Sequence, residues 1–481
     1  MPRQRFRMAD FSGGRDTLTE RVTTPPFRSP NELNCKLVKP NSIQRRNGFT
    51  QWVQKTFGTN KILGLYRYIQ KDGDKFLMVA EGGRVWACKG DGPHYTDYIE
   101  VINGLDTSAD VHFAQMQDWC YFTNGVDAPK RWNGSVACNA GLNIVDMGAA
   151  GATYTLTPAD GTGRMVIDAD SNVDYSYRLA IDYGGLGEGN IVPQNQLSSP
   201  YGNKTLNSVV AAAGDDGSIT LSGLQAAWMP YQSCGAVGVS IYRTTHAPLL
   251  RLASNAQDYP PYYFVASTSS DSYEDEKNDT EIVASGEWPG DSLFSLYNDA
   301  YAYIGTTERL MKAKYLATHK NRMFWANGYD YSPPMTGGDG TFTRQSSWVW
   351  VSELYFPDRI ESIFQVDPED GGEITALVSF RNFLIIFKKN KTYALYGTTD
   401  TDLELRPLHP RIGCVAPRTA VVCGDGVLRF LASDGVYAFD GNGFEKLSLL
   451  IQPDIDAISA SRRGESCAAW HDDKYWLSVS L

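Results

Sequence analysis

Short runs of alternating apolar and polar residues, each bounded by a turn, make up most of the chain. Between residues 61 and 90, the runs KILGLYRYIQ, KFLMVAE and RVWACKG are separated by the turn sequences KDGD and GG. A period of two predicts β-strands, because successive side chains of a strand point to opposite faces of the sheet. Helical periodicity is nearly absent, and we expect only two short helices, at residues 30–37 and 450–460. The pattern therefore predicts an all-β protein.

Hairpin turns recur along the chain, and their spacing indicates a structural repeat. One turn per repeat is marked by Gly83, Gly125, Asn321, Asn390, Gly435 and Asp473. Three of the five separations, 42, 45 and 38 residues, fit the length of a four-stranded propeller blade. A separation of 69 residues accommodates a blade and a long loop rich in Gly and Pro, whereas one of 196 residues contains an insert. We therefore expect a β-propeller of about six blades.

The insert has strand patterns of its own, YSYRLAIDYGG, GSITLSGL, VGVSIYRTT and PYYFVAST, separated by polar loops. This alternation fits a small β-sandwich of fibronectin type III character. At 481 residues the chain is too long for one ordinary core, so several domains are expected. The predicted boundaries are an N-terminal arm with a first strand (1–60), a first propeller part (61–137), the inserted β-sandwich (138–286) and a second propeller part (287–481).

The last strand pattern, WHDDKYWLSVSL, runs to the final residue without a closing turn. A propeller must close, because its first and last blades would otherwise expose unpaired sheet edges. We expect residues beyond Leu481 to complete the last blade. The alternative is that a segment of the arm, NSIQRRNGFTQWV at residues 41–53, completes it.

Charge is unevenly distributed along the chain. Residues 1–60 contain eleven Lys and Arg against four Asp and Glu, which gives +7, so the rest of the chain carries −18 of the total of −11. A basic arm on an acidic body can bind nucleic acid or an acidic neighbour. The alternative is an arm that is solvated or that docks on its own chain.

The apolar runs and the cysteines of the sequence bear on the cellular compartment of the protein. No run approaches the roughly 18 apolar residues of a membrane span, and the start MPRQRFRMADFSGG has no apolar stretch of a secretory signal. The cysteines are scattered, without C-x-x-C spacing, and several lie within strand patterns, where a free thiol acts as a small core hydrophobe. A reducing compartment is therefore expected. The eight are Cys35, Cys88, Cys120, Cys138, Cys234, Cys414, Cys423 and Cys467.

Candidate chemistry is sparse. The six histidines show no metal-ligand spacing, and His471, followed by two aspartates, is typical of a hairpin turn. Phosphate-binding, nucleophile-elbow and kinase motifs are absent from the sequence. The run DADSNVD (168–174) alternates oxygen ligands as a calcium loop does, but Val173 and Leu179 stand where a turn glycine and a carboxylate are needed. We predict no catalytic, cofactor or metal residues, no cofactor and no enzyme activity.

Two other features leave alternatives open. The acidic run DSYEDEKNDTE (271–281) is interpreted as a solvated connector between the insert and the propeller. Aromatic residues expected to be exposed, such as Trp348 and Trp350, are compatible with a carbohydrate-binding or glycan-cleaving propeller. A host-side interaction scaffold is a third possibility, but it would need matched surface residues in successive repeats.

The order of the motifs resembles one known family, the propeller-bearing tail nozzle proteins of short-tailed bacteriophages, also called tail tubular protein B, with related tail hub proteins. The resemblance begins at DFSGGRDTLTERVTTPPFRSPNELNCKLVKPNSIQRRNGF and covers most of the chain outside the insert. Each motif alone is only moderately specific, and their order carries the resemblance. The others are KFLMVAEGGRVWACKG, DVHFAQMQDWCYFTNG, HKNRMFWANG, WVSELYFPD, ITALVSFRNFLIIFKKNKTYALYG and CVAPRTAVVCGDGVLRFLASDGVYAFDG.

The resemblance implies a structural protein of the virion tail, assembled in the host cytoplasm. It would form a homohexameric ring below the portal and adaptor proteins, in contact with tail fibre or tail tip proteins, without membrane insertion. Genome DNA would pass through its channel during ejection without sequence recognition. An acidic body suits such a channel, because it repels phosphates, whereas proteins that hold DNA use Lys and Arg. The basic arm would then dock on an acidic neighbouring subunit.

Overall fold

Strands account for nearly all the regular structure of this protein. In the computed structural model, the longest helix among the described residues has seven residues, Asp279–Ser285. The prediction of an all-β protein is therefore confirmed. The structure describes residues 15–19, 28, 35–39, 42–45, 57, 60–90, 97–141, 154–159, 163–167, 173–189, 206–209, 214–245, 247–248, 261–286, 294–295, 312–332, 341–370, 372–399 and 401–480.

The chain forms two compact units. The larger unit comprises residues 59–90 and 97–364, and the smaller unit comprises residues 1–58, 91–96 and 365–481. Each unit contains two antiparallel sheets in which four consecutive strands pair in chain order. In the larger unit these strands are β3 (Ile62–Ile69), β4 (Lys75–Glu81), β5 (Arg84–Lys89) and β6 (Asp97–Ile102), then β7 (His112–Met116), β8 (Trp119–Thr123), β9 (Lys130–Trp132) and β10 (Ala137–Asn139). In the smaller unit they are β25 (Ile374–Phe380), β26 (Phe383–Lys388), β27 (Thr392–Tyr396) and β28 (Glu404–His409), then β29 (Val421–Val422), β30 (Leu428–Leu431), β31 (Val436–Phe439) and β32 (Phe444–Lys446).

The remaining strands form an insert, a five-stranded sheet and two hairpins. Those of the insert are β11 (Thr155–Ala159), β12 (Met165–Ile167), β13 (Val173–Asp182), β14 (Leu206–Val209), β15 (Gly214–Ser222), β16 (Gly238–Thr244), β17 (Ala247–Pro248), β18 (Tyr262–Thr268) and β19 (Ser272–Asp275). The five-stranded sheet contains β20 (Phe294–Ser295), β21 (Tyr315–His319), β22 (Arg322–Ser332), β23 (Thr341–Glu353) and β24 (Phe356–Gln365). The hairpins are β1 (Cys35–Lys39) with β2 (Ser42–Arg45), and β33 (Cys467–His471) with β34 (Lys474–Ser478).

Helical segments are short. The α-helices are α1 (Gln225–Trp228), α2 (Asp279–Ser285) and α3 (Gln452–Asp456). The 3-10 helices are Gly184–Leu186, Met229–Cys234, Pro368–Asp370, Pro417–Thr419, Leu449–Ile451 and Arg463–Glu465.

Successive sheets of the larger unit pack against each other through aromatic side chains. Trp132 of the second sheet meets Phe76 of the first, with ring centroids 5.1 Å apart. Tyr121 on the second sheet meets Trp325 of the five-stranded sheet, with centroids 6.1 Å apart. All four side chains are buried, so the first sheet packs on the second, and the second packs on the five-stranded sheet that follows the insert.

The smaller unit repeats this arrangement. Phe387 of its first sheet meets Phe430 of its second, with ring centroids 4.7 Å apart. Leu431 on the second sheet shares a hydrophobic cluster with Tyr475 and Leu477 of the β33–β34 hairpin. Apart from the insert, sheets that follow each other in the chain therefore pack against each other in that order within each unit.

The six predicted hairpin turns all connect two paired strands. Five of them, all but Asp473, lie in a sheet of four or five strands, and Asp473 lies between β33 and β34. Some hairpins were not predicted, and in one of them Gln117 and Asp118, both with positive φ, connect β7 to β8. We expected a single run there, because neither residue is the Gly or Asn that usually marks such a turn.

The insert is a sandwich of two sheets, and the predicted strands all occur in it. Strand order is β14-β13-β16-β18 in one sheet, and β15 pairs with β11, β12 and β19 in the other. Ile219 and Leu221 from β15 share one buried cluster with Tyr177 and Ile241 from the facing sheet. The predicted start at residue 138 falls within β10, so the described strands of the insert begin only at Thr155.

Two predictions near the arm have different outcomes. The helix at residues 30–37 is wrong over its described part, because Cys35–Lys39 is a strand paired with Ser42–Arg45. The segment CKLVK contains the β-branched Val38, which suits a strand, and its pairing register shifts between Leu37 and Lys39. The helix at residues 450–460 is confirmed as Leu449–Ile451 followed by Gln452–Asp456.

In its described residues, the arm segment considered for closing the last blade pairs with β1 instead of β34.

Candidate functional site

A fully buried ion pair lies between β9 and β24. Arg131 is 1% exposed and Asp358 is 0% exposed, and Nη1 of Arg131 donates to Oδ2 of Asp358. Removing two such charges from water costs several kcal/mol for each ion. Among the described residues, the protein supplies partners for most of their other donors and acceptors, but Nε of Arg131 is buried without a hydrogen bond.

Those partners come from three separate segments. Tyr121 donates its hydroxyl to Asp358 Oδ2 at 2.7 Å, and the backbone N–H of Gly141 donates to Asp358 Oδ1 at 2.6 Å. Nη2 of Arg131 donates to the backbone carbonyl of Cys234 in the insert at 3.0 Å. We call Tyr121, Arg131, Cys138, Cys234 and Asp358 the insert junction.

The junction keeps fixed protonation states. Burial, followed by the charge of Asp358, raises the pKa of Tyr121 well above its ordinary value, so the phenol stays a donor. Burial is the largest single influence on Arg131 and lowers its pKa, but Asp358, Tyr121 and Tyr183 together outweigh it, so the pKa of the guanidinium is raised. The rings of Trp119 and Tyr183 also lie 4.8 and 5.6 Å from the guanidinium carbon. These groups hold protons and do not exchange them, which suits a structural role.

A disulfide joins the same two regions. Cys138 in β10 is bonded to Cys234, at the end of the 3-10 helix Met229–Cys234. A reducing compartment predicts free thiols, and that prediction is wrong for this pair. The sequence gives no hint of it, because the two residues are 96 positions apart and only tertiary packing brings them together.

The other described thiols behave largely as expected. Cys88, Cys120, Cys414 and Cys423 are buried thiols outside any disulfide, and Cys467 is an exposed thiol. Burial raises the pKa of Cys120 and raises that of Cys414 to about 12. Such thiols stay protonated and act as small apolar groups.

The acidic run at residues 271–281 is not the solvated connector that we expected. Its residues Ser272–Asp275 form a strand paired with β15. Asp275 is fully buried, accepts from the hydroxyl of Tyr177 at 2.8 Å and pairs with Arg243 at 3.2 Å. The run then caps α2, where Asn278 and Glu281 satisfy each other's backbone N–H groups. Charge composition alone could not reveal that one carboxylate points into the sandwich.

A third charged cluster stabilises the first sheet of the smaller unit. Lys388 and Lys391, at the turn between β26 and β27, contact Asp370 at 2.5 and 3.2 Å. Asp367 accepts from Nζ of Lys391 and from the hydroxyl of Tyr393, both at 2.5 Å. These hydrogen bonds from Lys391 and Tyr393 lower the pKa of Asp367 below its ordinary value. The cluster ties the segment before β25 to the β26–β27 turn.

Other sequence features singled out for function have clear places in the fold. His471 ends β33 before the Asp472–Asp473 turn, which confirms the hairpin interpretation. Residues 168–172 of the calcium-like run lie outside the described residues. Trp350 is 3% exposed, and Trp348 is partly buried against the same core. The expectation that both tryptophans are exposed is therefore wrong, because β23 turns this face towards the core.

Residues 15–18 of the arm dock on their own chain. Arg15 donates to Asp454 at 2.7 Å, and the hydroxyl of Thr17 donates to the other carboxylate oxygen at 3.0 Å. The backbone N–H of Thr17 donates to the carbonyl of Leu450. For these residues the self-docking interpretation fits, with α3 supplying the acid.

Two absences hold for the described part of the chain. No group of three or more His, Cys, Asp or Glu there is arranged to hold a metal ion. No helix among those residues is long and apolar enough to span a bilayer.

Sequence reasoning missed Arg131, Asp358, Arg243 and the disulfide. One signal was available for Arg243, because the strand β16 places Val239, Ile241 and Arg243 on the same face of the sheet. A charged residue in the apolar phase of a strand indicates a buried counter-ion. For Cys138 and Cys234 there was no such signal.

Comparisons with known proteins add little. No protein-family model matches the chain, and no curated protein does. Virginiamycin B lyase from Staphylococcus aureus is similar at 10% identity, over 87% of this chain and 92% of that chain, with a TM-score of 0.29. The Dos1 propeller is similar at 7% identity, over 81% and 70% of the two chains, with a TM-score of 0.27.

A third similar structure is the extracellular domain of a protein from B. thetaiotaomicron described as a hybrid two component system. Its identity is 7% and its TM-score 0.26, over 80% of this chain, which spans only 33% of that chain. With TM-scores below 0.3, these similarities carry no argument about this protein.

Proposed function

We propose that this chain is a structural subunit of the tail nozzle of a short-tailed bacteriophage. In this proposal its four-stranded sheets are blades of a β-propeller of about six blades, and the insert is a fibronectin type III-like sandwich. Copies assemble as a homohexameric ring around the channel through which DNA leaves, below the portal and adaptor proteins. The order of sequence motifs supports the family, and the stacking of consecutive sheets in both units supports the propeller.

The observation that carries the structural role is the use of buried charge. Asp275 and Asp358 each bind an arginine and a tyrosine hydroxyl of their own unit. Catalytic carboxylates need a free edge towards a substrate and a pKa suited to proton transfer. Here the carboxylates join elements of one chain, as a rigid building block requires.

Rigidity suits a ring that must keep its channel open while DNA passes. The insert is held to the second four-stranded sheet by the Cys138–Cys234 disulfide and by a hydrogen bond from the Arg131 side chain to the carbonyl of Cys234, and the buried Asp358 in turn fixes Arg131. The body outside residues 1–60 is acidic, so DNA is repelled and slides, as the channel of a nozzle requires. The glycan-binding alternative loses the exposed tryptophans on which it was based, since Trp350 is buried.

Electron microscopy of the purified full-length protein tests the proposal. We expect end-on views of closed rings with a central channel, and mass photometry should give a mass close to six times 53.2 kDa. Mass spectrometry should find the chain in purified virions. A protein that stays monomeric at micromolar concentration and is absent from virions contradicts the proposal. Binding on a glycan array together with release of reducing sugars would support the alternative instead.

A further inference from the structure

We propose that the Cys138–Cys234 disulfide is a redox-dependent latch that fixes the insert to the second four-stranded sheet. It forms after folding and can be opened again by a small thiol. This inference rests on the geometry of the insert junction and does not depend on the proposed function.

Two neighbouring residues of one sheet hold the same residue of the insert. Cys138 in β10 lies directly opposite Arg131 in β9. Cys138 bonds covalently to the sulfur of Cys234, and Nη2 of Arg131 donates to the carbonyl of Cys234 at 3.0 Å. Asp358 in turn holds Arg131 and the backbone N–H of Gly141, just beyond β10. The non-covalent contacts therefore hold the two sulfur atoms in reach of each other when the bond is open.

The remaining cysteines favour a bond that forms late. The cysteines Cys88, Cys120, Cys414, Cys423 and Cys467 stay as thiols, and Cys467 does so although it is exposed. A chain synthesised in a thiol-reducing compartment keeps its cysteines reduced. Only a pair that the fold brings together is then poised to oxidise when the chain meets an oxidant.

The exchange needs only a small thiol and its disulfide, for which glutathione is the probe. Cys138 is 8% exposed, whereas Cys234 is more accessible, so the glutathione thiolate attacks Sγ of Cys234. The S–S electron pair leaves with Cys138 as a thiolate, which takes up a proton. A second glutathione thiolate attacks the glutathione sulfur of the mixed disulfide, releasing Cys234 as a thiolate and oxidised glutathione. Two thiols supply two electrons, and the reverse sequence closes the latch.

Native protein equilibrated in buffers of different glutathione ratios, then alkylated and mapped by mass spectrometry, tests the chemistry. We expect Cys138 and Cys234 to change state together, while the four buried thiols stay unmodified. Limited proteolysis of the two states tests the latch. Cleavage between residues 142 and 286 should rise about tenfold on reduction, because the bond that closes the loop is lost, while cleavage elsewhere should not change.

Matched variants separate the latch from general thiol effects. In a Cys467→Ser variant, proteolytic cleavage between residues 142 and 286 should depend on the glutathione ratio as in wild type. In a Cys234→Ser variant, this cleavage should not depend on the glutathione ratio. If Cys234→Ser does not fold, wild-type protein reduced with a phosphine under native conditions gives the same comparison. Free thiols at both positions in air-oxidised native protein overturn the proposal, and so do equal cleavage rates in the two states.

Discussion

Asp358 and Asp367 are only nine positions apart in the chain, yet they stabilise their surroundings very differently. Asp358 is fully buried in the larger unit and accepts from Arg131, Tyr121 and the backbone N–H of Gly141. Asp367, in the smaller unit, is 30% exposed and accepts from Lys391 and Tyr393. Both carboxylates have a cation and a tyrosine as partners, so burial is the main difference between them.

This difference decides what each carboxylate contributes. When an exposed partner is lost, water replaces it, and such pairs contribute roughly 0.2–1 kcal/mol. When a buried partner is lost, an uncompensated charge stays in a medium of low dielectric constant. The same pairing of carboxylate, cation and tyrosine therefore contributes little to the stability of the smaller unit but is needed for the stability of the larger unit.

The largest expected effect comes from Asp358→Asn. The substitution leaves the Arg131 charge buried without a counter-ion, and we expect it to lower the free energy of unfolding of the larger unit by about 3–5 kcal/mol. Urea unfolding followed by fluorescence measures this, since Trp119 and Trp132 lie beside the site. Asp367→Asn is the matched control and should cost less than about 1 kcal/mol.

A double variant shows whether charge or packing is responsible. Arg131→Met with Asp358→Leu removes both charges, so it should recover much of the stability lost in Asp358→Asn. If Asp358→Asn and Asp367→Asn cost the same, burial does not set the contribution and the comparison fails.

Tyr121 and Tyr393, which donate to the buried and the partly exposed carboxylate, should differ in the same direction but by less. Tyr121→Phe removes the hydroxyl that donates to Asp358, and a hydrogen bond to a charged group contributes about 1.5–3 kcal/mol. Tyr393→Phe removes the matching bond to Asp367, and water can replace it, so we expect a loss below about 1 kcal/mol. The same urea titrations measure both. A larger loss for Tyr393→Phe would reverse the ranking of the two sites.

The repeat could be predicted from the sequence because it rests on local signals. A turn residue such as Gly83 or Asn321 and a period of two are readable within ten residues of chain. The hairpin at Gln117–Asp118 was missed because it has positive φ at both residues but contains no Gly or Asn to mark the turn in the sequence. The sequence therefore predicted the paired strands correctly at the six predicted turns, each marked by a Gly, Asn or Asp.

The insert junction could not be predicted in this way. Its members Arg131, Cys234 and Asp358 come from three distant segments, and nothing in the neighbouring sequence marks them as partners. The buried Asp275 was likewise hidden in a run that composition assigns to the surface. Side-chain pairing across more than a hundred residues is a property of the tertiary fold.

Acid should distinguish wild type from Asp367→Asn. Hydrogen bonds from Lys391 and Tyr393 lower the pKa of Asp367 in the folded state. A depressed pKa means that the contribution to stability is complete above the ordinary value near 4 and is lost as pH falls through the folded-state pKa. In urea titrations of the smaller unit from pH 6 to about 2.5, the difference in free energy of unfolding between wild type and Asp367→Asn should therefore shrink with falling pH. If this difference in free energy of unfolding stays constant with pH, the carboxylate charge of Asp367 contributes nothing to stability.

The smallest expected effect is at the arm, where Arg15 and Asp454 are 34% and 36% exposed. Arg15→Ala should lower the free energy of unfolding by less than about 1 kcal/mol, because both groups are largely hydrated before they pair. Local docking should respond more than global stability, with cleavage near residues 15–19 rising a few-fold in limited proteolysis. Arg406→Ala is the control, since it breaks an exposed pair with Glu404 and should leave that cleavage unchanged. If Arg15→Ala instead destabilises the smaller unit as strongly as Asp358→Asn destabilises the larger, exposure does not rank these ion pairs, and the contrast between the two carboxylates needs a cause other than burial.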